Sequence, residues 1–120
     1  MKFSEDKSGG LLITSYRPGE IRVASESWRS SILIHTDTCS AWEIDDIGEL
    51  CTDHLHRIIA FAPDILLIGT GTEQRFPEIE SYAALLELSI GVEIMDSAAA
   101  ARTYNVLVSE GRRVMAGIIV

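Results

Sequence analysis

Ile65-Leu66-Leu67-Ile68-Gly69-Thr70-Gly71-Thr72 decides the fold. Four uninterrupted apolar residues ending in glycine are the pattern of a short strand buried on both faces. Pro77 is expected to open a helix with the face Ile79, Tyr82, Ala83 and Leu86, and Ser89-Ile90-Gly91 ends it before a strand at Val92-Glu93-Ile94-Met95. Alternation of strand and helix in this order indicates an α/β layered sheet. Asp96 or Ser97 then caps a further helix running to about Ser109. Gly111 stops that helix, and Val114 to Val120 reads as a core strand.

On the N-terminal side, Thr52 is expected to cap a helix whose apolar stripe is Leu55, Ile58, Ile59 and Ala62, with Pro63 ending it. Ser31 to Thr36 is a strand with apolar residues on both faces. Leu11-Leu12-Ile13 and Ile21-Arg22-Val23 flank Arg17-Pro18-Gly19-Glu20, the chemistry of a type II turn, which makes a hairpin. Three strands followed by three alternations of helix and strand predict an α/β fold: a layered single domain over residues 1–120, with a mixed central β-sheet, an N-terminal β-hairpin and three helices. Residues 1–8 are polar and are expected to fray.

The 120 residues fit one core, and 47% hydrophobic content supplies it without cross-links. Eighteen acidic against ten basic residues give a net charge of −8, which opposes binding to the nucleic-acid backbone. The acidity is concentrated: Ser30 to His56 holds six carboxylates, no Lys or Arg, and all three histidines. Cys39 and Cys51 form no C-x-x-C pair, and the polar start resembles neither a secretory signal nor a mitochondrial presequence, so a reducing cytoplasmic location is expected. The apolar runs Ile58 to Ala62 and Ile65 to Ile68 are far too short to insert into a membrane.

Candidate chemistry is sparse. Gly69-Thr70-Gly71-Thr72, between a buried strand and a helix, offers backbone N–H groups and hydroxyls to an anion, yet Gln74 stands where a dinucleotide fingerprint needs glycine. Cys51 and His54 are three apart, but His54 and His56 point away from one another on a helix, so no metal site is expected. No G-x-S-x-G elbow presents a serine, and no residue is assigned as catalytic. Arg102 and Asn105 are helical neighbours set beside the apolar stripe Ala101, Tyr104 and Val108. They line a polar pocket or act as structural clamps. If the two central strands are parallel, Gly69, Thr70, Gly71 and Thr72 meet Asp96 and Ser97 at one sheet edge. Arg102 reaches back toward them, forming a crevice suited to a carboxylate or phosphate.

The residues from Ile65 through Gly71, then Gly91 to Asp96, Ala98 to Ala101, Arg102-Thr103-Tyr104-Asn105-Val106-Leu107 and Glu110-Gly111-Arg112-Arg113-Val114 resemble the complex I assembly factor 3 family. That family includes small single-domain prokaryotic proteins of unknown function. The resemblance implies a three-layer α/β fold around a mixed sheet and a non-enzymatic role. Ala101 stands where relatives often have cysteine, so a thiol role at that position does not apply. The expected function is a non-catalytic protein-interaction or assembly module with a protein partner and no cofactor. The alternative is a small anionic-ligand protein or enzyme using the crevice. Oligomeric state is left open.

Overall fold

The computed structural model describes residues 11–120. The expected fraying of residues 1–8 lies outside them. Strands β1 (Ile13–Arg17), β2 (Glu20–Val23) and β3 (Glu26–Trp28) form a three-stranded antiparallel sheet. A five-stranded sheet is built from β4 (Ile32–His35), β5 (Thr38–Ala41), β6 (Ile65–Gly69), β7 (Gly91–Met95) and β8 (Val114–Ile118), in the order β5-β4-β8-β6-β7. β6 is parallel to both β7 and β8, and β4 is antiparallel to both β5 and β8, so the sheet is mixed as expected. Helices α1 (His56–Phe61), α2 (Ala83–Glu87) and α3 (Ser97–Ser109) complete the mixed α/β architecture.

The two faces of the large sheet carry separate cores, because side chains alternate along each strand. On one face Ile32, Ile34, Leu67, Ala116 and Ile118 pack under α3 and the small sheet, with Ala100, Ala101, Tyr104 and Val108 of α3 buried among them. On the other, Leu33, Leu66, Ile68 and Met115 pack against Trp42, Ile47, Leu55, Ile58 and Leu85. Each face depends on one glycine of a central strand. A Cβ on Gly69 would lie 2.9 Å from the Ser97 Cα, and one on Gly117 would lie 2.6 Å from the Trp42 ring. The missing side chains let the start of α3 and an indole seat directly on the sheet.

Several expectations need correction. Two strands precede α1 that the sequence does not announce, β3 and β5. Their hairpins turn at Ala24 (φ 57) and Thr36 (φ 48), not at glycine, so the usual turn signal is absent. β1 begins at Ile13 and meets β2 through Pro18-Gly19, with Gly19 at φ 89 as a type II turn requires. Thr52 caps no α-helix: residues Thr52–His54 form a 3-10 turn, and α1 starts at His56. Ala62 ends it in the left-handed region before Pro63, and Ile59, assigned to the buried stripe, is exposed. The helix expected at Pro77 is a 3-10 turn at Ile79–Ser81 followed by five residues of α2. Its buried residue is Leu85, while Ile79 and Leu86 are exposed, because one short turn sets the face and the i, i+3, i+4, i+7 pattern never develops.

Two polar ties join the layers. The Asn105 side-chain amide pairs with the Ile13 backbone as a strand would: Ile13 N–H donates to Oδ1 at 2.9 Å, and Nδ2 donates to the Ile13 carbonyl at 2.8 Å. This clamps β1 to α3. His35 stacks on Phe61 at 4.0 Å between ring centres, and the Arg113 guanidinium lies 4.0 Å over the same Phe61 ring while its nitrogens donate to the Phe61 and Ala62 carbonyls. Among the described residues no helix is long and apolar enough to cross a membrane.

Asn105→Ala, which strands two backbone groups, and Gly69→Ala, which overpacks the α3 seat, should each destabilise the fold by about 1–3 kcal/mol. Arg102→Ala should stay within about 0.5 kcal/mol. Urea unfolding checks this through the transition midpoint at unchanged slope. Burial holds the His35 imidazole below its ordinary value of 6.5, with Asp37 opposing and Arg113 adding to the shift. The unfolded chain therefore takes up this proton more readily than the folded one. The stability contributed by neutral His35 is fully present above the ordinary value and is lost progressively as pH falls from there through the lower folded value. His35→Phe should flatten the decline in melting temperature between about pH 7 and pH 5 relative to the parent chain.

Candidate functional site

β6 ends at Gly69 beside the start of α3, and backbone pairing then gives way to side-chain bonds. Ser97 is fully buried. Its hydroxyl accepts the Gly71 N–H at 2.8 Å and donates to the Ile119 carbonyl at 2.6 Å, while its own N–H donates to the Gly71 carbonyl at 2.8 Å. Asp96 caps α3 by accepting the Ala99 N–H at 2.8 Å. Thr70 donates its hydroxyl to the Glu73 carbonyl and accepts the Arg75 N–H at 3.1 Å. The N–H groups of Thr70, Gly71 and Ser97 are thus bonded within the fold rather than turned toward a bound anion.

Cavities lie where the small sheet meets α3. One of about 290 Å³ is lined by Ile13, Tyr16, Ala101, Arg102 and Asn105, among others. A neighbour of about 310 Å³ is lined by Tyr16, Arg17, Gly71, Thr72 and Asp96. Both touch Tyr16 and Ala98, so they adjoin along the N-terminal half of α3. The structure therefore brings Gly71, Thr72, Asp96, Arg102 and Asn105 to one side of the molecule, with Gly69, Thr70 and Ser97 buried behind them. Arg102 is exposed and makes no ion pair or hydrogen bond among the described residues. Asn105, by contrast, spends its amide on Ile13.

Tyr16 is the residue that sequence reasoning missed here, because it comes from a hairpin far away in the chain. Burial pushes its phenol above the ordinary value; the neighbouring Ser97 hydroxyl opposes this, and the Asp96 charge adds to it. His54 accepts the Cys51 N–H through Nδ1 at 3.0 Å, and its Nε2 lies 3.1 Å from the Glu43 carbonyl. Among the described residues no three His, Cys, Asp or Glu side chains come together to hold an ion.

A further cavity, of about 610 Å³, lies on the other face of the large sheet. Its walls are the 3-10 turns at Ile47–Glu49 and Thr52–His54 and the segment from Phe76 to Ser81. Arg75 bridges the walls through the Asp46 carboxylate, at 2.6 and 3.4 Å. That guanidinium and the Gly48 N–H hold the Asp46 carboxyl below the usual carboxylate range.

A protein of Rhodobacter capsulatus is 37% identical over 113 residues, covering 93% of this chain and 86% of its own length. A Francisella tularensis protein named a 13 kDa major membrane protein is 42% identical over 77 residues, 64% of this chain and 63% of its own. The zebrafish protein named NADH dehydrogenase [ubiquinone] 1 alpha subcomplex assembly factor 3 is 24% identical over 96% of this chain and 67% of its own. Among solved structures, a Bordetella parapertussis protein superposes with a TM-score of 0.84 at 34% identity, covering 90% of this chain and 93% of that one. A Bordetella pertussis protein described as a Mth938-like domain gives 0.81 at 27% identity, covering 99% and 92%. The family described as "Protein of unknown function (DUF498/DUF598)" matches residues 13–119, nearly the whole described fold. The chain belongs to the DUF498/DUF598 family and shares its Mth938-like fold.

Proposed function

We propose that the chain is a non-catalytic protein-interaction module of the assembly-factor kind, acting in the cytoplasm. The observation that carries this reading is the likeness, along 96% of the chain, to a relative named as an assembly factor. The chemistry of the crevice supports it. The polar groups a reaction would need are already committed: Ser97 and Thr70 hydroxyls to backbone, Asp96 to the cap of α3, Asn105 to β1. A hydroxyl engaged as both donor and acceptor, with no base beside it, is not an activated nucleophile.

A second reading is favoured by Arg102. A guanidinium without a partner among the described residues, beside adjoining cavities of about 290 and 310 Å³, suits a small carboxylate or phosphate held by one charge-assisted contact. In this reading Arg102 and Thr72 hold the anion, while Gly69, Thr70, Gly71, Asp96, Ser97 and Asn105 shape the crevice.

The tagged chain, expressed in its native host, should co-purify with one protein in near-stoichiometric amount. On fractionation it should appear in the high-speed supernatant; recovery with the membrane pellet instead would extend to this chain what the Francisella relative's name says of that protein. Turnover in a broad hydrolase or transferase screen, abolished by Arg102→Ala, would overturn the module reading in favour of the crevice.

A further inference from the structure

The cavity of about 610 Å³ lies outside the crevice just described, and its chemistry differs. Its floor is apolar, from Ile47 and Leu50, and its rim carries Glu78 and Glu80. Phe76 stands at the edge with 71% of its surface exposed, and Ile79 follows at 56%. An aromatic ring left this far in water contributes nothing to the core, and exposed apolar groups rimmed by polar ones mark contact surfaces.

The segment presenting Phe76 is held in place although it contains no strand or α-helix. The Thr70 hydroxyl grips the Glu73 carbonyl and the Arg75 N–H, Gln74 donates to the Ile94 carbonyl at 2.9 Å, and Arg75 is anchored on Asp46. Ser81 donates to the Glu78 carbonyl at 2.6 Å and closes the far end. A surface fastened in its binding shape loses little entropy when a partner arrives.

Charge identifies the occupant. Glu78 and Glu80 line the cavity, and the stretches 45–54 and 73–81 that flank it carry five further carboxylates against a single arginine and no lysine. That arginine is paired with Asp46. A second copy of this chain, at net charge −8, would bring like charge to the groove.

We propose that this groove docks a cationic peptide segment of a partner protein, with an aromatic or large aliphatic side chain seated on Phe76, Ile47 and Leu50 and Lys or Arg facing Glu78 and Glu80. The proposal rests on the interaction-module reading and gives it a surface and a partner chemistry. Affinity comes from the apolar anchor, while encounter rate and selectivity come from the acidic rim.

Random dodecapeptides displayed on phage, panned against the intact chain at about 150 mM salt, test it. Enriched peptides should be cationic and carry one bulky apolar residue. For a synthetic copy of the strongest binder, Kd by fluorescence anisotropy should rise about tenfold with Phe76→Ala, whose exposed ring leaves folding intact. It should rise about tenfold, with a shallower salt dependence, in E78K/E80K. Glu110→Lys, a single charge reversal beyond the opposite face of the sheet, should leave Kd within about twofold. Neutral or acidic binders, failure to enrich any peptide, or an affinity indifferent to Phe76→Ala and to the charge reversals would overturn the groove. So would a dimer in sedimentation that Phe76→Ala dissociates, since the occupant would then be a second copy. A co-purifying partner that still binds E78K/E80K would remove the groove and leave the module reading standing. Turnover dependent on Arg102 would remove the module reading while the peptide data still judge the groove.

Discussion

The Ser97 hydroxyl is the knot on which the rest of the fold depends. One buried oxygen joins the segment after β6, the start of α3 and the residue following β8, three stretches that are remote in sequence. Left unpaired in the interior, that oxygen or the Gly71 N–H would cost about 1–3 kcal/mol, so the knot holds only when all three segments arrive together. Gly69 makes the approach sterically possible, and Asp96 starts the helix at the right residue. The anion-binding look of Gly69-Thr70-Gly71-Thr72 in the sequence is the outward sign of this joint. Glycines and hydroxyls suit a tight strand-to-helix junction for the same reasons that they suit a phosphate.

The parts legible from sequence were those whose burial is written into consecutive residues. Ile65 to Ile68 and Val114 to Ile118 are hydrophobic on both faces because both faces are covered. The Ala101, Tyr104, Val108 stripe of α3 is regular because thirteen residues are long enough for helical spacing to develop. β3 and β5 were not legible. They are short and polar, they owe their conformation to the strands beside them, and they turn on Ala24 and Thr36, where strain is carried without glycine. α2 illustrates the opposite error: apolar residues fell at helical intervals, yet five residues cannot hold a stripe, and Leu85 alone is buried.

The candidate site divides in the same way. Asp96, Ser97 and the glycine loop lie together because they follow adjacent parallel strands, which chain order predicts. Tyr16 gives no signal in the sequence because it is delivered by the small sheet, which the Asn105 clamp and the packing of Ile13, Ile21 and Val23 hold against α3. Arg102 and Asn105, neighbours on one helix, have separate fates: the amide matches a strand backbone that happens to lie within reach, and the guanidinium does not. Phe76 escaped notice since a single aromatic in a polar stretch gives no pattern, and only its exposure in three dimensions distinguishes it.

The strand order also bears on how the chain assembles as it is synthesised. β8 lies between β4 and β6, yet among the described residues it is the last strand in chain order and so the last to leave the ribosome. Until it does, the β4-β5 hairpin and the β6-α2-β7-α3 unit share no seam, and each keeps an unpaired apolar edge turned to water. Long-range pairing of this kind is slow, and such edges are where nascent chains join the wrong neighbour. A chain of this topology gains its central seam only when β8 pairs with both β4 and β6.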